Sequence, residues 1–401
     1  MPSALDDIVV LDLTRALAGP FCTQILGDLG AEVLKVEPLP GGDPNRGYGP
    51  PFQNGVGLYF WMGNRNKRSL ALNFRAPEAR AVLRRLAVRS DVLVENFRPG
   101  VIDEIGLGYE GLRAENPGLV CCSLSGFGQR GPYRDRPGFD QIAQGMSGLM
   151  SVTGAPGGGP LRFGVPIGDL VSGLYGAIGI LAALRERERS GQGQRVEGSL
   201  LEGLISLLSI QAAKYFAGGE APQAEGNDHP LIAPYGAFPT EDGAINIAIG
   251  NEEMWGRLCR ALAMPELAAD PRFARNAQRM AHRAELRAIL EAALRQRGQA
   301  EWVKLLNDAG VACGPIYDLE QVFGDPHVQH LRMIQAFDHP TLGHVQTLRF
   351  PVTLGRSGRE ADAPPPALGE HTDAILARAG YDAAAIADLR ARGVVGPGRP
   401  A

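Results

Sequence analysis

The 401-residue sequence has no excess of basic charge, no Cys-x-x-Cys pair, no glycine fingerprint in its first strand-to-helix turn and no apolar run long enough to span a bilayer. Each absence excludes something. With 40 Lys and Arg against 44 Asp and Glu, the formal net charge of −4 excludes a general nucleic-acid binder, which needs a basic excess or a basic face. The five cysteines, Cys22, Cys121, Cys122, Cys259 and Cys313, are odd in number and unpaired by motif, which fits reduced, buried thiols in an intracellular protein. Met1 to Asp7 carries acids and no basic n-region of an export signal. The apolar stretch Leu170 to Leu184 is a helix core in length, short of the roughly 20 residues a membrane span needs. The expectation is a cytoplasmic protein without membrane or nucleic-acid partners. The first turn reads Leu17-Ala18-Gly19-Pro20 rather than Gly-x-Gly-x-x-Gly, and no Gly-Lys-Ser/Thr follows Gly157-Gly158-Gly159, so neither nicotinamide nor Walker-type nucleotide binding is expected.

What is present is an alternation of strand and helix text. Ile8 to Leu13, Ala31 to Glu37, Ser69 to Asn73, Asp91 to Glu95 and Leu119 to Leu124 are short apolar runs of the kind buried on both faces of a sheet. Helical segments separate them, among them one from Phe21 to Leu29 and one with Ala79, Leu83, Leu86 and Ala87 on a single stripe. The pattern predicts an α/β protein: a Rossmann-like parallel sheet with helices on both faces. A long apolar helix follows over Leu170 to Ser190, and Ser199 to Glu202 reads as a capping box opening a helix that reaches about Phe216. The expected organisation is a large domain over 1–216, a linker over 217–234, a smaller α+β domain over 235–325, and a linker and C-terminal part over 326–401 that returns to the large domain. The 53 glycines and 30 prolines imply many tight turns and close backbone approaches.

Three features carry candidate chemistry. Between Trp61 and Gly100 there are nine basic residues against three acidic ones. Most of these arginines read as a solvated helix face, but Arg75 and Arg98 lie just beyond the carboxyl ends of predicted strands, the edge where open α/β sheets bind ligands. Two cations there suit an anionic, phosphorylated ligand. Asp169, just before Leu170, reads first as a helix N-cap. Its functional reading is a carboxylate nucleophile kept ionised by the helix N-terminus. His327 and His330 have no third ligand at diagnostic spacing, so no metal site is expected.

Several blocks in order resemble the class III CoA-transferases, the CaiB/BaiF family that includes formyl-CoA transferase. They are Val10-Leu-Asp-Leu-Thr-Arg-Ala-Leu-Ala-Gly-Pro20, Leu29-Gly-Ala-Glu-Val-Leu-Lys-Val-Glu37, Asn66-Lys-Arg-Ser-Leu-Ala-Leu-Asn73, Val94-Glu-Asn-Phe-Arg-Pro-Gly100, Ser125-Gly-Phe-Gly128, Asp135-Arg-Pro-Gly-Phe-Asp140 and Gly168-Asp169. The resemblance implies CoA transfer from an acyl-CoA thioester to a free carboxylic acid, through an aspartyl anhydride and an aspartyl-CoA thioester, with Asp169 as the nucleophile. It implies CoA contacts at Leu17, Ala18, Leu72, Asn73, Phe74, Arg75, Asn96, Phe97, Arg98, Arg136 and Phe139, and a substrate loop at Gly250 and Asn251. Coenzyme A is then a substrate, with no permanently bound cofactor, and the chain is expected to form an interlocked homodimer. Pro38 and Glu104 stand where some relatives carry arginines that touch CoA phosphates, so Arg46 or Arg136 is expected to substitute. Two alternatives stay open: a 2-methylacyl-CoA racemase, which needs a histidine where this chain has Phe139, and a non-catalytic CoA-ester-binding protein.

Overall fold

Alternate residues of each apolar run face opposite sides of one sheet, as the period of two along a strand requires. In the computed structural model, which describes residues 3–339, 343–358 and 362–396, the sheet comprises β1 (Val9–Asp12), β2 (Glu32–Pro38), β3 (Lys67–Leu72), β4 (Val92–Glu95), β5 (Val120–Ser125) and β6 (Arg195–Ser199). All neighbours are parallel, in the order β3-β2-β1-β4-β5-β6. Val9 and Leu11 join one core with Leu34, Leu70 and Leu93. Val10 joins the other, with Val33, Val92 and Val94. The first face is covered by α2 (Ala79–Ala87) and by the C-terminal helices Thr372–Arg378 and Ala383–Ala391, through Leu83, Leu86, Ile375 and Leu389. The second is covered by α1 (Ala18–Asp28) and α4 (Ile167–Ser190), through Cys22, Leu26, Ile180 and Leu184. The order of strand addition reverses about β1: the next two strands add on one side and the following three on the other. That arrangement opens a crevice at the carboxyl ends of β1 and β4.

The chain divides into two compact units. The larger contains Met1–Met150, Arg162–Phe216 and Arg332–Ala401, and the smaller contains Ser151–Leu161 and Ala217–Leu331. The smaller unit is built on an antiparallel sheet of Tyr235–Pro239, Ala244–Ala248 and Ala312–Pro315. Its core gathers Trp255, Phe273, Leu290 and Trp302. Residues 217–234, expected as a linker, carry Glu225 and Asp228, which pair with Arg283 and Arg287 of that unit. One helix is shorter than expected. The segment after Ser199 bends after α5 (Leu200–Ser206), where Ser209 takes a positive φ of 41°. In the smaller unit, the helices Asn276–Ala281 and Arg283–Leu294 are separated by His282. Among the described residues, α4 is long and apolar enough to cross a membrane, but half of its most apolar stretch is buried. All five cysteines are free, and all but Cys313 are buried.

Candidate active site

The turn after β1 is fixed by a buried carboxylate. Asp12 accepts the Thr14 N–H (2.9 Å), the hydroxyls of Thr14 (2.6 Å) and Thr23 (2.7 Å), and Lys67 Nζ (2.9 Å). Burial alone would raise its pKa, but Lys67 and Lys35 outweigh that and hold it at about 2. Lys35 Nζ donates to the Thr14 carbonyl at 3.0 Å and pairs with Asp43 at 2.9 Å, and Asn45 donates to the Ala16 carbonyl. Residues 14–18 are thereby pinned at the carboxyl edge of the sheet. The turn after β4 is clamped to them. The Arg15 N–H donates to Asn96 Oδ1 (2.8 Å), Asn96 Nδ2 donates back to the Arg15 carbonyl (2.6 Å), and the Arg15 guanidinium lies 4.9 Å from the centre of the Phe97 ring.

Asp169 reaches the same edge on α4. Gly173 makes this possible: a Cβ there would stand 2.7 Å from the Ala18 carbonyl oxygen, so only glycine lets α4 approach α1 so closely. The N-cap reading of Asp169 is corrected. Pro166 precedes the helix, and Asp169 is its third residue. The capping function falls to Asp140, the first residue of α3 (Asp140–Met146), whose Oδ1 accepts the Gly168 N–H at 2.8 Å. Gln144 holds Asp140 in place, donating to its Oδ2 at 2.7 Å while accepting the Phe163 N–H at 2.8 Å. Asp169 is half-buried with its carboxylate free of the cap. The helix N-terminus, expected to keep it ionised, is opposed by its surroundings. Burial, and then the like charge of Asp140, push its pKa up to about 7. Burial and the charges of Asp169 and Asp140 likewise push up Tyr59, which keeps its phenol protonated as a donor.

One cleft of about 320 Å³ brings Asp169 together with Ala18, Asn96, Phe97, Arg98, Arg136 and Phe139. Phe139 is 69% exposed and immediately precedes α3. The remaining expected contacts lie outside its lining. Leu17 is buried beneath the start of α1. Leu72 is the last residue of β3 and Asn73, Phe74 and Arg75 follow it; there Leu72 bridges to Val395 and the Asn73 N–H donates to the Val394 carbonyl. Gly250 and Asn251 belong to the smaller unit, where Asn251 Oδ1 caps the helix Glu252–Ala261 by accepting the Met254 N–H at 2.8 Å.

The cationic side of the cleft is Arg15, Arg98, Arg134 and Arg136. Arg46 is not available for a CoA phosphate, because its guanidinium is engaged bidentately by Glu37 at 2.7 and 2.8 Å and is buried. The basic segment 61–100 is largely neutralised within the protein: Lys67 by Asp12, Arg65 by Asp28, Arg68 by Glu32 and Arg84 by Glu115. Of the basic residues of that segment, Arg98 alone is in the lining of the cleft. Arg134 and Arg136 ride on a loop whose two ends cross at Gly126 and Gly138, where a Cβ on either would stand 2.6 Å from the other's Cα. Arg15, Arg134 and Asp140 are not singled out by the sequence pattern. Applying the carboxyl-edge rule to β1 as well as to β3 and β4 would have found Arg15.

A parallel sheet with a crevice at its switch point, a half-buried acid in that crevice and four arginines along one side define an α/β protein built to bind an anionic ligand. The chain belongs to CoA-transferase family III, whose model matches residues 5–372, and it is a CoA-transferase acting on CoA thioesters. It is 41% identical to the succinyl-CoA:glutarate CoA-transferase of Mus musculus, over 98% of this chain and 90% of that one. It is 40% identical to the succinyl-CoA–D-citramalate CoA-transferase of Chloroflexus aurantiacus, over 94% of each. The crystal structure of a CaiB/BaiF family protein from Brucella suis superposes with a TM-score of 0.83 at 41% identity, covering 94% of this chain and all of that one.

Proposed function

We propose that the protein moves CoA between dicarboxylic acids, with Asp169 as the nucleophile. The observation that carries the role of Asp169 is its uncapped carboxylate in the cleft with Arg98 and Arg136. An Asp169 oxygen attacks the thioester carbonyl carbon, the C–S bond breaks, and CoA thiolate leaves an acyl–aspartyl anhydride. The thiolate attacks the aspartyl carbonyl carbon, the C–O bond breaks, and the first acid departs as a carboxylate, leaving aspartyl-CoA. The acceptor carboxylate then attacks this thioester and the two steps run in reverse, regenerating Asp169. Thioester energy is conserved, and neither ATP nor water takes part. The arginines hold the CoA phosphates, and Phe139, which has no titratable group, leaves a racemase without its second acid/base.

The dicarboxylic class rests on the two relatives named above, whose substrates are succinyl-CoA with glutarate or D-citramalate. The acting form is a cytoplasmic homodimer. Its support is an exposed apolar face on α4 and the segments after it, with Leu174, Tyr175 and Ile178 beside Ile205 and Ile210. A donor–acceptor screen tests the reading. Succinyl-CoA with four- to six-carbon dicarboxylates should give the highest kcat/KM, and equal rates with monocarboxylates would overturn the substrate class.

A further inference from the structure

Next to the cleft, beneath the 129–134 loop, lies a second cavity of about 180 Å³, and Arg134 lines both. Its floor holds Glu95, the last residue of β4, only 3% exposed. Glu95 Oε2 accepts the Phe97 N–H at 2.8 Å, so it grips the first turn of the Asn96–Phe97–Arg98 wall from behind. The Ser123 hydroxyl is its other partner. Among the described residues Glu95 has no ion-pair partner. The titratable and charged groups around it are Asp103, Tyr109, Cys121, Arg130, Arg134, Arg195 and Glu197. Two of the three arginines lining the cavity are paired with other acids: Arg195 with Glu110 (3.3 Å), its guanidinium also over the Tyr109 ring, and Arg134 with Asp135 (3.6 Å). Burial lifts Cys121 and Tyr109, so both stay neutral.

A buried carboxylate without a cation is costly, and a neutral amide could accept the same N–H. Its presence here calls for a role in which charge matters. We infer that Glu95 is a positioning residue that fixes the Asn96–Phe97–Arg98 wall in its CoA-binding form when ionised and releases it when protonated. An ionised carboxylate makes a charge-assisted bond to the Phe97 amide, roughly twice as strong as a neutral one. Protonation weakens that bond and lets Arg98 leave the position in which it meets CoA. Burial places the transition in the working range, pushing the Glu95 pKa up to about 7, with Asp103 adding a smaller push in the same direction.

The inference rests on CoA lying along this wall, so the test separates the two. Binding of CoA itself to the full-length protein is measured calorimetrically from pH 6 to 8, for the wild type, Glu95→Gln and Glu95→Ala. Protonation of the CoA phosphates affects all three alike, so the informative quantity is the ratio of wild-type to Glu95→Gln Kd. With a transition near pH 7, that ratio should grow about tenfold between pH 8 and pH 6. Glu95→Ala should bind more weakly than Glu95→Gln at every pH, because it has lost the acceptor. A ratio that does not change with pH overturns the inference. Arg98→Ala provides the control: if it leaves the Kd for CoA unchanged, CoA does not lie along the wall, and the site reading fails rather than the role of Glu95.

Discussion

Asp140 Oδ1 accepts the Gly168 N–H at 2.8 Å, so the carboxylate that caps the site helix comes from 28 residues upstream rather than from Asp169 beside it. One acid holds the helix start and the other is left for chemistry. Burial, and then the like charge of Asp140, keep part of Asp169 protonated near neutrality.

Asp140→Asn should therefore shift the pH dependence of turnover. Asp169 acts as a carboxylate, so the wild-type rate should fall as pH drops through about 7. The amide retains an oxygen for Gly168 N–H but removes the charge, which lowers the Asp169 pKa. The acid limb of the kcat profile is expected at lower pH in the variant. An unchanged limb would show that Asp140 does not act on Asp169.

Asp169→Asn should stabilise the fold at alkaline pH. The folded pKa of Asp169 is raised from 3.8 to about 7, so between those values the folded state binds more protons than the unfolded one. The stability contributed by the wild-type residue then decreases as pH rises through that window. Thermal melts at pH 8 should show the variant more stable than the wild type, with the difference vanishing near pH 4. Equal melting temperatures at pH 8 would count against the raised pKa.

Lys67→Met should be damaging, because it leaves Asp12 buried and charged without its closest cation. Breaking such a pair from one side costs about 3–5 kcal/mol, which urea denaturation would register as a lower midpoint. The pH signature has the opposite sign to that of Asp169. The folded pKa of Asp12 is depressed to about 2, so its contribution is complete above pH 3.8 and is lost as pH falls toward 2. In the variant the loss should begin at higher pH.

Strands β1 to β5 of the large sheet were legible because each contains a short local apolar run, and the carboxyl-edge rule then drew attention to Arg98. Asp169 stood out through its place before an apolar helix and through the family resemblance. What could not be read were pairings across the sequence. Arg46 looked like a spare cation until Glu37, nine residues away, claimed it. The excess charge of 61–100 looked available until Asp12, Asp28, Glu32 and Glu115 neutralised most of it. Glu95 looked like the polar end of a strand, and only the packing of the 129–134 loop and the helix Val101–Glu104 around it shows that it is buried. Leu72 to Arg75 sit at the expected sheet edge, but the C-terminal residues Gly393 to Val395 bond to that edge, a partnership over 320 residues that no local pattern announces.

The central claim is that the acyl group and then CoA pass through the Asp169 carboxylate. Incubating the protein with succinyl-CoA, quenching with hydroxylamine and mapping the modified peptide by mass spectrometry tests it directly. The account predicts a hydroxamate on Asp169, absent in Asp169→Ala, which should still bind CoA. A hydroxamate on another acid, or wild-type transfer rates in Asp169→Ala, would contradict it.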